Sequence, residues 1–188
     1  MGIRTASSFD VLRPGTWVAG DERDWADETQ RLLSLIQHEF ERAVACWAAY
    51  CPLRVDPQVG LDIGRHAKAL REVYAREFVL ALDSISKLLS KLPKPPDEVV
   101  RLQREYWHRF GDAKHIRDSF AHIEDRGRGR RQGGEPVQSP LVVLACFVGD
   151  RFEFTASNGN RYGIEVSAGT LTLAHELVQG IIGCYKWE

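Results

Sequence analysis

At 188 residues, with 44% hydrophobic and 27% charged residues, the chain has the composition of a globular domain long enough to bury a sizeable core. A net charge of −1 excludes a global field that would draw in nucleic acid, so any polyanion binding must come from a local patch. No apolar run reaches the ~18 residues of a membrane span, no signal-peptide pattern opens the chain, and Ala6 stands where myristoylation of Gly2 would want Ser or Thr. The expected location is the cytoplasm. Cys46, Cys51, Cys146 and Cys184 show no CxxC spacing and lie mostly in apolar runs, which predicts buried free thiols.

Residues 1–20 read as an irregular lead-in with a turn at Pro14-Gly15, packing Trp17 or Phe9 onto a helical bundle. Leu32, Leu33, Ile36, Phe40, Val44 and Trp47 recur at helical spacing and predict a first helix over 24–50, bracketed by Pro52 and Pro57. Trp25, Trp47 and Tyr50 have aliphatic neighbours at that spacing, so they read as core rather than as a base-stacking platform. After a connection over 51–62, a second helix is expected over 64–92. Leu70, Val73, Tyr74, Phe78, Leu82, Ile85, Leu89 and Leu92 form its stripe, and Pro93, Pro95 and Pro96 stop it. His66, near its start, reads as a solvated surface residue.

Asp97 suits the N-cap of a third helix whose core face is Val99, Leu102, Tyr106 and Phe110. Gly111-Asp112 breaks or kinks it, and Asp112 is expected to cap a fourth helix running to about 126. Next comes Arg126-Gly-Arg-Gly-Arg-Arg131, the only strongly basic stretch of the chain. Arg126, Arg128, Arg130 and Arg131 either hold phosphates through bidentate hydrogen bonds or keep a surface loop soluble. The pattern then turns to period two. Residues 141–148 form an apolar strand, Gly149-Asp150 a hairpin turn, and 151–156 a second strand with Phe152 and Phe154. Tyr162, Ile164 and Val166 mark the third. This three-stranded antiparallel meander would be marginal alone and must pack on helices. A last helix over about 170–185 offers Leu171, Ala174, Val178, Ile181, Ile182 and Tyr185.

The fourth helix carries the chemistry. Within Lys114-His-Ile-Arg-Asp-Ser-Phe-Ala-His-Ile-Glu-Asp-Arg126, Ile116, Phe120 and Ile123 form a narrow apolar stripe. Lys114, Asp118, Ala121 and Asp125 lie opposite it. Arg117 and His122 sit at the edges of that outer face, about 140° apart. Turning His122 inward would expose Ile116 and Phe120, so a buried structural histidine is rejected. Asp118 and His122 are i, i+4 neighbours, and the carboxylate can orient the imidazole and favour its protonated form. Ser119, without an elbow context, reads as structural. His108, His115 and His122 repeat every seven residues, but neighbours in such a row lie ~10 Å apart and cannot share one metal ion. No metal and no cofactor are expected. Phosphate-binding loops, dinucleotide-binding glycines and nucleophile elbows are absent from the sequence.

Arg117-Asp118-Ser119-Phe120-Ala121-His122 resembles the signature of the HEPN superfamily of helical-bundle ribonucleases: an arginine, a polar residue, three further residues, then a histidine. The motif is short, and its position late in an all-helical region before an Arg/Gly loop adds to it. The resemblance covers about residues 24–126. It implies a mainly α fold, a HEPN-like bundle here followed by the small antiparallel meander and a C-terminal helix. One domain is expected over 1–188, with the bundle at 21–126, the Arg/Gly loop at 126–139, the meander at 140–167 and the last helix at 169–186. The resemblance also implies metal-independent endoribonuclease activity with Arg117, Asp118 and His122 at the catalytic site. Lys114 and the four loop arginines would bind RNA. It implies a homodimer whose cleft is lined by both motifs, in keeping with the splay of Arg117 and His122 on one helix, and small Ala121 would permit close approach. A setting in toxin–antitoxin, phage-defence or RNA-processing systems, with an antitoxin partner, is further implied. Two other readings stand beside this one: a non-catalytic HEPN-like module gripping nucleic acid or a nucleotide, and a helical interaction protein without an RNA role.

Overall fold

The structure, a computed structural model, describes residues 9–20, 22–54, 61–121, 146–155 and 160–188, with the backbone alone for 61–64. Among these residues the fold is mainly helical, with five α-helices and one three-stranded antiparallel sheet. α1 (Arg23–Tyr50) and α2 (Leu61–Leu89) form a long helical hairpin. α3 (Asp97–Phe110) and α4 (Asp112–Ala121) pack on α2, and α5 (Ala168–Gly183) covers α3 and α1. The sheet, β1 (Cys146–Val148), β2 (Arg151–Thr155) and β3 (Arg161–Glu165), lies against α4. The described part of the expected first strand is thus its last three residues. Among the described residues no helix is long and apolar enough to cross a membrane.

The helices bury the predicted stripes with few exceptions. Phe78, Leu82, Ile85 and Leu89 are fully enclosed, and Leu92 stays in the core although the helix has already given way to turns. Val73, expected on that stripe, is 41% exposed. It lies five residues from Phe78, about 140° round the helix, so it faces away from α1, α3 and α4. The α2 helix begins at Leu61, three residues before the expected start. Asp97, expected as the cap of α3, is its first helical residue; Pro96 takes the cap position, and Asp97 and Glu98 share the first turn, where the dipole favours them. The last helix starts two residues earlier than about 170 because Ser167, not anticipated, caps it by accepting the Thr170 N–H at 3.2 Å, and it ends at Gly183. All four cysteines are free but only half-buried, a shallower placement than their apolar neighbours suggested.

In the lead-in, Phe9 is the residue that enters the core, stacked on His175 at 4.9 Å, while Trp17 stays exposed. Trp17 contributes its backbone instead, exchanging two 2.9 Å hydrogen bonds with Glu188 and tying the lead-in to the C-terminal segment. The sheet is anchored at two points. Arg71 of α2 donates to the Tyr50 hydroxyl and the Gly149 carbonyl, both at 2.9 Å, with its guanidinium 4.0 Å from the Phe147 ring centre. Gly149 takes φ +63°, the conformation its place in the hairpin turn requires. At the other point Phe120 of α4 packs on Phe152 and Phe154, which pair with Ile164 and Tyr162 in register. Asp112 does not serve as the expected helix cap here. Its carboxylate turns to the sheet, accepting the Gly163 N–H at 3.1 Å and facing Arg151. A Cβ at Gly163 would sit 2.7 Å from Arg151 Nε and 2.9 Å from Glu153 Cγ, so those two side chains would have to shift to admit one.

Tyr185 is buried and its hydroxyl finds no hydrogen-bond partner among the described residues. An unmet buried hydroxyl costs about 1–3 kcal/mol, so Tyr185→Phe is expected to stabilise the fold by about 1 kcal/mol in urea unfolding. Burial, with a smaller contribution from the Cys184 thiol, pushes the Tyr185 hydroxyl up to about 12. In the unfolded chain it titrates near 10. Between those values the unfolded state releases a proton that the fold retains, so stability holds below about pH 10 and falls as pH rises through 12. Tyr185→Phe makes that alkaline fall shallower. Tyr50, Tyr106 and the thiols of Cys46 and Cys184, all raised chiefly by burial, contribute to the same fall.

Candidate nucleic-acid interface

α3 and α4 follow one another with only Gly111 between them, and the sharpness of the junction depends on that glycine. A Cβ at 111 would lie 2.7 Å from the Trp107 carbonyl oxygen. The tight turn directs the start of α4 along the C-terminal half of α2. Ala113, Ile116 and Ser119 are fully buried against it, a broader seam than the narrow stripe of Ile116 and Phe120. The Ser119 hydroxyl donates to the His115 carbonyl at 2.8 Å, which fits the structural role expected of it.

Arg117 does not stand free on the outer face. It reaches back to α2, where Nη1 donates to Asp83 at 2.9 Å, while Nε and Nη2 donate to Asp118 at 3.0 and 2.7 Å. Asp83 is only 4% exposed and also accepts Lys87 Nζ at 2.7 Å. Buried carboxylates need such partners. Partial burial would lower the Arg117 pKa, but the Asp118 hydrogen bond and the attraction of Asp83 and Asp118 outweigh it and the net shift is upward. The guanidinium is therefore a fixed positive charge held in place by two carboxylates. Of its five N–H donors, these bonds use three, and two make no bond among the described residues.

Around this arginine opens a groove of about 350 Å³ between α2, α3 and α4. Asp83, Lys87, Lys114 and Arg117 supply its charge, Ser86 and Ser90 its hydroxyls, and Trp107 with Phe110 its apolar wall. Of the three cations in the lining, Lys87 is paired with Asp83 and Arg117 with Asp83 and Asp118, while Lys114 pairs with no carboxylate among the described residues. A phosphate diester has the charge and the acceptors to suit it.

Of the predicted catalytic set, Arg117 and Asp118 are brought together, but as partners of each other. Asp118 is tied to Arg117, and the contact expected between Asp118 and His122 falls outside the described residues, as does His122 itself. Arg126, Arg128, Arg130 and Arg131 lie outside them too. Lys114 lines the groove. His108 is exposed, and His115 stacks on Tyr162 at 4.0 Å. Among the described residues no group of His, Cys, Asp and Glu could hold a metal.

Sequence reasoning passed over Asp83, Lys87 and Trp107. The signal for the first two was an acid and a base four residues apart, the only charges in a run from Val79 to Leu89 that is otherwise apolar but for Ser84 and Ser86. For Trp107 it was a large aromatic directly after Tyr106 and so off the stripe of α3. Fold and groove together define a mainly helical protein with a small antiparallel sheet and a charged, aromatic-walled groove. No family model, curated protein or solved structure matches the chain.

Proposed function

We propose that the protein is a metal-independent endoribonuclease of the HEPN type, acting as a two-fold dimer in which the motifs of two copies face one RNA strand. The observation that carries the reading is the fixed guanidinium of Arg117, with two N–H groups that make no bond among the described residues, beside a groove that Lys87 and Lys114 also line. A base removes the proton of a 2′-hydroxyl, and that oxygen attacks the adjacent phosphorus. The bond to the 5′-oxygen breaks, and the departing oxygen takes up a proton. The products are a 2′,3′-cyclic phosphate and a 5′-hydroxyl. Arg117 neutralises the added charge of the pentacoordinate transition state, where a preorganised donor acts most strongly. His122, five residues on, carries the protons at cellular pH. The toxin–antitoxin or defence setting, with an antitoxin partner, belongs to the same proposal through the motif resemblance.

The test is cleavage of a mixed-sequence RNA in EDTA with analysis of the product ends. The expected result is cleavage that survives the chelator and leaves 2′,3′-cyclic phosphates. Ends bearing 5′-phosphate, or cleavage that stops in EDTA, would sink the mechanism. RNA binding by a folded protein that never cleaves would leave a non-catalytic binding module in its place.

A further inference from the structure

Trp107 stands apart from the rest of α3. Val99, Tyr106 and Phe110 fill the core, whereas Trp107, about 100° round the helix from Tyr106, is 44% exposed at the wall of the groove. Its indole N–H reaches the Ser86 carbonyl at 3.5 Å, the far limit of a hydrogen bond, so the ring is only lightly tethered. A large aromatic left half in water is unusual for a side chain with this much apolar surface to hide. The groove it walls is also lined by two ammonium groups, Lys114 from α4 and Lys87 from α2, the latter bonded to Asp83 at 2.7 Å, where a docked apolar protein surface would want aliphatic side chains. Flat π-surface flanked by cations is the chemistry of single-stranded nucleic-acid binding: the ring stacks a base and the cations hold the backbone. At about 350 Å³ the groove falls at the small end of small-ligand sites, enough for one base with its sugar and phosphate.

We propose that this groove is the subsite for one unpaired base of a single-stranded RNA, with Trp107 as its stacking platform and Lys87 and Lys114 on the flanking phosphates. The inference rests on the ribonuclease reading only for the premise that RNA is the ligand. Bases inside a duplex are already stacked and cannot reach the indole, so the subsite selects single strands. It therefore gives the site a substrate class, RNA loops, bulges and ends.

The test uses the full chain and a fluorescein-labelled 2′-O-methyl RNA of mixed sequence, single-stranded or annealed, which the proposed chemistry cannot cut. Binding is read by anisotropy, with oligomeric state and circular dichroism recorded for each variant. Trp107→Ala is expected to weaken single-strand binding about ten-fold or more, and Trp107→Phe to retain most of it. Lys114→Ala should lower the slope of log affinity against log salt by about one. Duplex binding should be weaker than single-strand binding in the wild type and unchanged by Trp107→Ala.

Absence of binding by the wild type, equal binding of Trp107→Ala and wild type, or an equal loss for single and double strands each overturns the proposal. Conversion of a wild-type dimer to monomer by Trp107→Ala also overturns it, because a second copy would then be what covers the indole. The two readings fail separately. Trp107-dependent binding without cleavage of ordinary RNA removes the ribonuclease and leaves the subsite. Cleavage by a wild type whose binding ignores Trp107 removes the subsite and leaves the ribonuclease.

Discussion

His122→Ala and Arg117→Ala are each expected to slow RNA cleavage by about a hundred-fold or more, and to part company on stability. Acid–base assistance and charge stabilisation in the transition state carry effects of roughly 10²–10⁴ and 10²–10³ respectively. The two losses act on one reaction, so the double variant should fall little below the worse of the singles. Stability separates them because of what each residue touches. By the helical period of the sequence His122 falls off the Ile116–Phe120 stripe, so its replacement should stay within about 0.5 kcal/mol of wild type. Arg117 is the main hydrogen-bond partner that α4 offers to a carboxylate 4% exposed. Its removal leaves Asp83 with Lys87 alone, where breaking a buried pair outright costs about 3–5 kcal/mol. Because Lys87 remains at 2.7 Å, the expected loss is about 2 kcal/mol. Arg117→Lys keeps the charge but not the fork that reaches two carboxylates at once, so it should recover part of the stability and little of the rate. The checks are urea unfolding and single-turnover cleavage on the same preparations. Full activity in Arg117→Ala alongside lost stability would make Arg117 a structural brace and nothing more.

The helices and strands were legible in the sequence because their periods were clean. Phe78, Leu82, Ile85 and Leu89 in α2, and Phe152, Phe154, Ile164 and Val166 in the meander, are buried as the spacing requires. What periodicity could not supply was the partner of each polar group. Asp112 has the composition of a helix cap, yet its carboxylate serves Gly163, 51 residues away in the chain. Arg117 sits at the edge of the outer face on a helical wheel, but an arginine is long enough to cross to a neighbouring helix. It pairs with Asp83, a residue with no local mark beyond being an acid in an apolar run. Trp107 went unremarked because attention to aromatics at core spacing passes over the one that is off it. Of the candidate site, Lys114, Arg117 and Asp118 were thus legible on one helix, whereas the residues of α2 and α3 that face them required the packing.

Asp83→Asn is expected to move cleavage and binding in opposite directions. Asparagine keeps the volume and an acceptor oxygen but removes the negative charge that Arg117 Nη1 and Lys87 Nζ now share at one carboxylate oxygen. Losing a charge-assisted pair at this depth should cost about 2 kcal/mol in unfolding. Asp118 still holds Nε and Nη2 of Arg117, so the guanidinium stays on α4 but loses the tie that fixes it to α2. A catalytic group displaced by about 1 Å can lose roughly a hundred-fold in rate; with one of two anchors kept, a fall of about ten-fold is expected here. Binding responds to charge instead of geometry. The groove loses its one carboxylate and Lys87 is released, which at a half-exposed site is worth about 1 kcal/mol toward a polyanion, or roughly five-fold in affinity. Slower cleavage with tighter binding of uncleavable RNA would mark Asp83 as the positioning residue of the arginine. If rate and affinity instead fall together and in step with stability, Asp83 only braces α2 against α4, and the placement of Arg117 is owed to Asp118.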